Sequence, residues 1–277
     1  MSEGTEVKQA IAGIFDRAAA TYDQTGVDFF GRVGRRLVEL VELQPGERVL
    51  DLGSGLGASA LPAAERVGPS GRVLALDLAP RMVEGLAQRA AAAGLGHLEV
   101  RVGDAESPVA EPASWDAVLS GLCLFFLPDC GAAVRRYRDL LRPGGRLGVS
   151  WFGADDARWD PIYTSLVAEL PAEQHGPKRP GSDGPFNSPA AMDAFLTEAG
   201  YVEVRTQLVD LTVVYADEQQ WWDTLWSHGR RITLEKLRDA GVLESTRRRM
   251  GPELDPVRRR DGSLEWTASM AYTIART

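Results

Sequence analysis

Arg48-Val49-Leu50-Asp51-Leu52-Gly53-Ser54-Gly55-Leu56-Gly57-Ala58 passes from a short apolar run straight into glycines at every second position. The run reads as a strand and the glycines as a tight turn, after which residues to about 67 read as a helix. Gly68-Pro69-Ser70-Gly71 is a second turn signal, and the apolar run over 72–77, ending in Asp77, is a second strand. Together they make one strand-helix-strand unit of about 30 residues, the length a parallel crossover needs.

Outward from this unit the alternation continues. The spacing predicts a helix over 79–93, strands over 98–102 and 117–120, a helix over 131–141 and a strand over 146–151. Strands separated by helices imply a doubly wound, mostly parallel α/β sheet. Upstream, residues 6–20 place Val7, Ala10, Ile11, Ile14 and Phe15 on one helical face and lead into Thr21-Tyr22-Asp23; a second helix over 29–41 stops before Gln44-Pro45-Gly46. Downstream, a stretch containing Pro171, Gly176, Pro177, Pro180, Gly181, Gly184 and Pro185 reads as a flexible loop or lid. It ends at Asn187-Ser188-Pro189, which starts a helix to 199. A strand over 201–215, helices over 218–240 and a last strand over 266–275 complete the chain. The expected division is therefore helices for cover over 1–44, a cofactor-binding core over 45–152, and the rest of the sheet over 153–277, with cap insertions at about 153–187 and 216–262.

The 277 residues, 44% hydrophobic and 25% charged, suit one α/β domain with a modest appendage. No run approaches the roughly 20 apolar residues of a membrane helix, and the start lacks the pattern of a signal peptide, so a cytoplasmic protein with no membrane partner is expected. Two cysteines, Cys123 and Cys130, lie in or beside apolar sequence and read as buried thiols. The net charge of −8 argues against a polyanionic partner; Arg247-Arg248-Arg249 and Arg258-Arg259-Arg260 read as solvated surface.

A strand that ends in a glycine turn and opens a helix presents main-chain N–H groups at the carboxyl edge of the sheet, where such folds bind ligands. Gly53-Ser54-Gly55-Leu56-Gly57-Ala58 also satisfies the dinucleotide fingerprint G-x-G-x-x-A, so a nicotinamide enzyme and a methyltransferase both fit the glycines. Asp51 favours the second: its carboxylate repels a pyrophosphate but suits the ammonium and sulfonium of S-adenosylmethionine. Asp77 ends the second strand where an acid accepts ribose hydroxyls, and Asp104, in Gly103-Asp104-Ala105 after the third strand, is placed to meet the adenine amine.

These segments, with Leu141-Arg142-Pro143-Gly144-Gly145, resemble the successive motifs of class I S-adenosylmethionine-dependent methyltransferases. Phe15-Asp16-Arg17-Ala18-Ala19-Ala20-Thr21-Tyr22-Asp23 resembles the branch of ubiquinone, menaquinone and small-molecule natural-product methyltransferases. The resemblance covers residues 10–152 well and implies a seven-stranded Rossmann-like sheet. It further implies that Gly53, Ser54, Gly55 and Gly57 wrap the methionine part, Asp77 takes the ribose, and Leu78 and Met82 pack on adenine. Gly103, Asp104 and Ala105 would hold the adenine edge, Ser120 and Leu122 would line the wall, and Tyr22 would close over the carboxylate. S-adenosylhomocysteine would be the product.

The acceptor is expected to be small and largely apolar, methylated at oxygen or carbon. Aromatic residues in the cap-forming segments, Phe29, Trp151, Phe152, Trp222 and Trp226, are candidate pocket walls, although Trp222 and Trp226 at i and i+4 equally fit a buried helix face. His228 is the candidate general base for a hydroxyl acceptor and His175 the second, while His97 reads as surface. No metal site is expected, Asp155-Asp156 having no evident third ligand. A nucleic-acid methyltransferase, a cyclase with a purely structural cofactor and a nicotinamide dehydrogenase remain as alternatives, and both monomer and homodimer are open.

Overall fold

The computed structural model describes residues 3–175 and 184–277, so residues 176–183 of the expected lid lie outside the described residues. Two helices, α1 (Glu3–Ala18) and α2 (Phe30–Val41), precede β1 (Arg48–Leu52). Then come α3 (Ala60–Val67), β2 (Arg72–Asp77), α4 (Pro80–Ala92), β3 (Leu98–Val102), β4 (Trp115–Gly121), α5 (Cys130–Leu140) and β5 (Leu141–Phe152). The remainder is α6 (Asp160–Val167), α7 (Pro189–Glu198), β6 (Val202–Tyr215), α8 (Glu218–Trp226), α9 (Arg231–Asp239), α10 (Leu243–Glu253) and β7 (Leu264–Arg276). Helix starts follow local chemistry. The Asp129, Ser188 and Asp217 side chains each accept a first-turn N–H, at 2.7, 3.2 and 2.8 Å, opening α5, α7 and α8.

The seven strands lie in the order β3-β2-β1-β4-β5-β7-β6. β1 pairs with both β2 and β4 in parallel, whereas β7 runs antiparallel to β5 and β6. The chain winds one way from β1 to β3 and the other way from β4, so the crevice for a ligand opens at the carboxyl ends of β1 and β4. Both faces are covered. α2, α3 and α4 supply Leu37, Ala63 and Leu86 to one core, and α5 and α7 supply Tyr137 and Met192 to the other.

α6 and α10 were not foreseen. The polar, arginine-rich surface of α10 hides its periodicity, yet Thr246 and Met250 are buried and Arg249 donates to the Ser165 carbonyl of α6 at 2.9 Å. Four arginines of the two runs, Arg247, Arg248, Arg259 and Arg260, are exposed as expected; Arg249 pairs with Glu169, Arg258 with Glu218 and Asp255, and Arg247 covers the Trp222 ring. His97, expected at the surface, is half-buried, and its Nε2–H donates to the Ala64 carbonyl at 2.8 Å. Both cysteines are half-buried rather than fully buried.

Gly34 lies where α2 crosses the segment after the glycine turn, and a Cβ there would sit 2.0 Å from the Ala58 carbonyl oxygen. Because that oxygen is backbone, nothing flexible can yield, and overpacking of this kind costs about 2 kcal/mol. Gly34→Ala is expected to lower the thermal midpoint by roughly 4–8 °C; an unchanged midpoint in a melting curve would contradict this packing.

Candidate active site

A cavity of about 830 Å³ opens over the carboxyl ends of β1, β2 and β4, roofed by α1 and the cap. The turn that forms its floor is tied to β2 and to itself. Gly53 and Ser54 donate their N–H groups to the Leu76 carbonyl at 2.9 and 3.0 Å, and Gly57 donates to the Ser54 carbonyl at 2.8 Å. Gly55 donates to Asp77 Oδ2 at 2.8 Å. None of these four donors is left for a pyrophosphate, which disfavours a phosphate cradle despite the dinucleotide spacing.

Asp51, expected at the ligand, does not line the cavity. It is 1% exposed, and the Ala60 N–H at the start of α3 acts to lower its pKa against that burial. Burial, with the Asp77 charge adding to it, pushes its pKa up to about 7. Its charge therefore discriminates between ligands less than the spent N–H groups do. Its Oδ2 and the Oγ of Ser54 are buried without partners among the described residues. Ser54 belongs to the cavity wall, so a ligand with polar hydrogens would complete it.

Asp77 lines the cavity with one N–H on each oxygen, Gly55 on Oδ2 and Ala79 on Oδ1 at 2.9 Å. Burial raises its pKa, against the lowering effect of those backbone donors. Tyr22, Gly53, Gly55, Leu78, Met82, Asp104, Ala105 and Leu122 also line it, whereas Gly57, Gly103 and Ser120 stand behind the wall. Tyr22 stacks on Phe30 with centroids 4.6 Å apart. Cys123 lines it too; burial keeps its thiol protonated, so it is inert as a nucleophile.

The model of the family described as "Methyltransferase domain" matches residues 49–145. The nocamycin O-methyltransferase of Saccharothrix syringae is 38% identical over 233 residues, 80% of this chain and 83% of that protein. The aklanonic acid methyltransferase of Streptomyces sp. strain C5 is 43% identical over 148 residues, 53% of this chain and 67% of that protein. The chain is a class I S-adenosylmethionine-dependent methyltransferase of the natural-product type. Among solved structures, the YcgJ protein of Bacillus subtilis superposes with a TM-score of 0.59 over 89% of this methyltransferase and 98% of that chain at 16% identity, a likeness of fold.

Part of the cavity wall is aromatic. Phe29 lies parallel to Phe152, with centroids 6.2 Å apart and planes 5° apart, and touches Phe30 and Trp266. Trp151 is not part of it. Adjacent strand residues point to opposite faces, so Phe152 faces the cavity while Trp151, 1% exposed, sits in the core under α7 and donates to Thr273 Oγ1 at 3.1 Å. Trp222 and Trp226 are also off the wall. Trp222 meets Trp221 edge-to-face and Trp221 packs tilted on Trp159, a row that joins the cap to the core under α2, α3 and α4, and Trp226 lies under the Arg231 guanidinium. While Tyr163 of the aromatic cap is on the wall, lining residues outside the expected set include Asp23, which takes a left-handed φ of 57°, Asp155 and Trp266. Only the Tyr-Asp pair at the end of α1 carried a sequence signal for any of them.

His228 and His175 both line the cavity. His228 Nδ1 accepts the Arg230 N–H at 3.2 Å, so the proton of the neutral ring resides on Nε2. Burial, then the nearby Arg230, pushes its pKa down to about 3. His175 donates from Nε2 to the Leu170 carbonyl at 2.8 Å. Asp155 Oδ1 accepts the Trp266 indole N–H at 2.6 Å. No group of three or more metal-ligating side chains occurs among the described residues, nor does a helix long and apolar enough to cross a membrane.

Proposed function

We propose that this methyltransferase methylates an oxygen of a flat, mostly apolar natural-product acceptor that arrives already ionised, such as a carboxylic acid or an acidic phenol. The observation that carries this reading is His228. With its Nδ1 lone pair taken by the Arg230 N–H and its pKa near 3, it is a weak base at neutral pH and offers the cavity an N–H rather than a lone pair. An ionised oxygen needs no base, only alignment. The names of the two relatives, an O-methyltransferase and a methyltransferase of an acid, support the same class.

When bound, S-adenosylmethionine supplies an electrophilic methyl group on a sulfonium that leaves as a neutral thioether. Tyr22, Gly53, Ser54 and Gly55 would hold its methionine part, Asp77 the ribose, Leu78 and Met82 the adenine faces, and Asp104 and Ala105 the adenine edge, with Leu122 as a wall. Asp51, Gly57, Gly103 and Ser120 would act from behind by shaping the turn. Phe29 and Phe152 would form an apolar wall against the acceptor, and the volume of about 830 Å³ lies in the upper part of the roughly 300–1,000 Å³ range of ligand sites.

The test is transfer of labelled methyl to a panel of aromatic acids, phenols and alcohols. Label is expected on the acidic acceptors at oxygen. With a carboxylic acid acceptor, the kcat/KM profile from about pH 5.5 to 8 should be the same in wild type and His228→Gln, because His228 carries no proton change there. A limb near pH 6.5 that disappears in His228→Gln would restore histidine as the base, and label on carbon would overturn the oxygen assignment.

A further inference from the structure

Lys8 lies on the inner side of α1, and its Nζ donates to Asp104 Oδ2 at 2.8 Å and to Glu106 Oε1 at 2.9 Å. Both acids are pinned independently. Asp104 Oδ1 accepts the Glu106 N–H at 2.8 Å, and Glu106 Oε2 accepts the Asp129 N–H at 3.0 Å. Two carboxylates held by backbone donors within reach of one point repel each other unless a cation stands between them, and Lys8 is that cation. Burial lowers the Lys8 pKa, but its hydrogen bonds to Asp104 and Glu106 outweigh burial and leave it raised, so the ammonium stays charged.

The other end of α1 is fastened elsewhere. Asp16 accepts the Arg81 N–H at the start of α4 at 2.8 Å, and Arg17 binds Glu235 of α9 through two bonds of 2.9 and 2.7 Å. Between these ties, Ile11, Ala12 and Phe15 form part of the cavity roof. Asp104 uses two of its roughly four acceptor positions on Lys8 and Glu106, which leaves others for a ligand in the cavity it lines.

We propose that Lys8 is a positioning residue for the nucleobase: it holds Asp104 where it accepts the exocyclic N–H of adenine, and so makes nucleoside binding depend on docked α1. This rests on the assignment of Asp104 to the adenine edge. In this role the ammonium, itself on the cavity wall, acts through Asp104: it removes the repulsion that would turn the Asp104 carboxylate away. Filling the nucleoside site and seating the roof over the acceptor are then linked through one side chain.

The experiment is calorimetric titration of the wild-type chain, Lys8→Met and Lys8→Arg with S-adenosylhomocysteine and with S-inosylhomocysteine, in which a carbonyl replaces the adenine amine. Lys8→Met is expected to weaken S-adenosylhomocysteine roughly 10- to 100-fold, the range for losing a charged hydrogen-bond arrangement, and S-inosylhomocysteine less than about threefold. Lys8→Arg should restore most of the loss. Hydrogen exchange of the α1 amides should slow on S-adenosylhomocysteine binding in the wild type and not in Lys8→Met. Equal losses for the two ligands, or no loss, would overturn the proposal. A wild type that binds both ligands equally would instead remove the Asp104 assignment. Should Lys8→Met not fold, Glu106→Gln weakens the same anchorage and is expected to show the same selective loss.

Discussion

Gly53→Ala is expected to weaken S-adenosylhomocysteine binding by at least about 100-fold while leaving a folded protein of lower thermal midpoint. Two independent costs meet at this residue. Its φ is 76°, a left-handed conformation that costs an L side chain roughly 1–2 kcal/mol. A Cβ would also lie 2.2 Å from Cys123 Sγ and 2.6 Å from Cys123 Cβ, so the turn must lift off β4 or push Cys123 into the cavity, at a further 1–3 kcal/mol or so. The first breaks the seat of the turn on the Leu76 carbonyl, and the second fills space on the cavity wall that Cys123 lines. At about 1.4 kcal/mol per tenfold, two to three orders of magnitude in affinity follow. Cys123→Ala in the same chain removes the sulfur but neither the Cβ contact nor the strained φ, so it should rescue only part of the loss. Calorimetry finding Gly53→Ala within threefold of wild type would show that the turn is not the floor of the donor site.

Asp77→Ala is expected to be the more damaging of the two changes, with donor binding falling about 1,000-fold and stability falling as well. Its carboxylate joins the Gly55 N–H of the turn to the Ala79 N–H that leads into α4, and alanine leaves both donors without a partner. Each buried donor so orphaned costs roughly 1–3 kcal/mol, before any bond to the ligand is counted. Asp77→Asn separates the two functions: its amide oxygen satisfies one N–H while its NH2 faces the other, so it should recover part of the stability and little of the binding. Equal affinity for the donor product in wild type and Asp77→Asn would show that the carboxylate serves the fold alone.

The contrast between Asp51 and Asp77 shows how far residue spacing carries. Both acids stand at the ends of neighbouring strands and both look ligand-facing in sequence. Asp77 is on the cavity wall, whereas Asp51, fully buried near the start of α3, is not. Likewise the glycine pattern fits two cofactor classes. The hydrogen-bond accounting of the folded turn, with its N–H groups spent on Leu76, Ser54 and Asp77, disfavours the dinucleotide before any relative is consulted.

The order of strands and helices from β1 to β5, the glycine turn and the acids at the strand ends were determined by the sequence by itself, because local periodicity and turn chemistry are written in adjacent residues. The tertiary structure alone decided which side chains reach the cavity. Both faces of a doubly wound sheet are covered by helices, so a strand such as β5 is apolar on both sides and nothing local says whether Trp151 or Phe152 faces the ligand. The same holds for Lys8, which meets Asp104 across 96 residues of chain. It holds too for His228, whose role follows from an Arg230 N–H and a sheltered cavity wall that only folding brings to it.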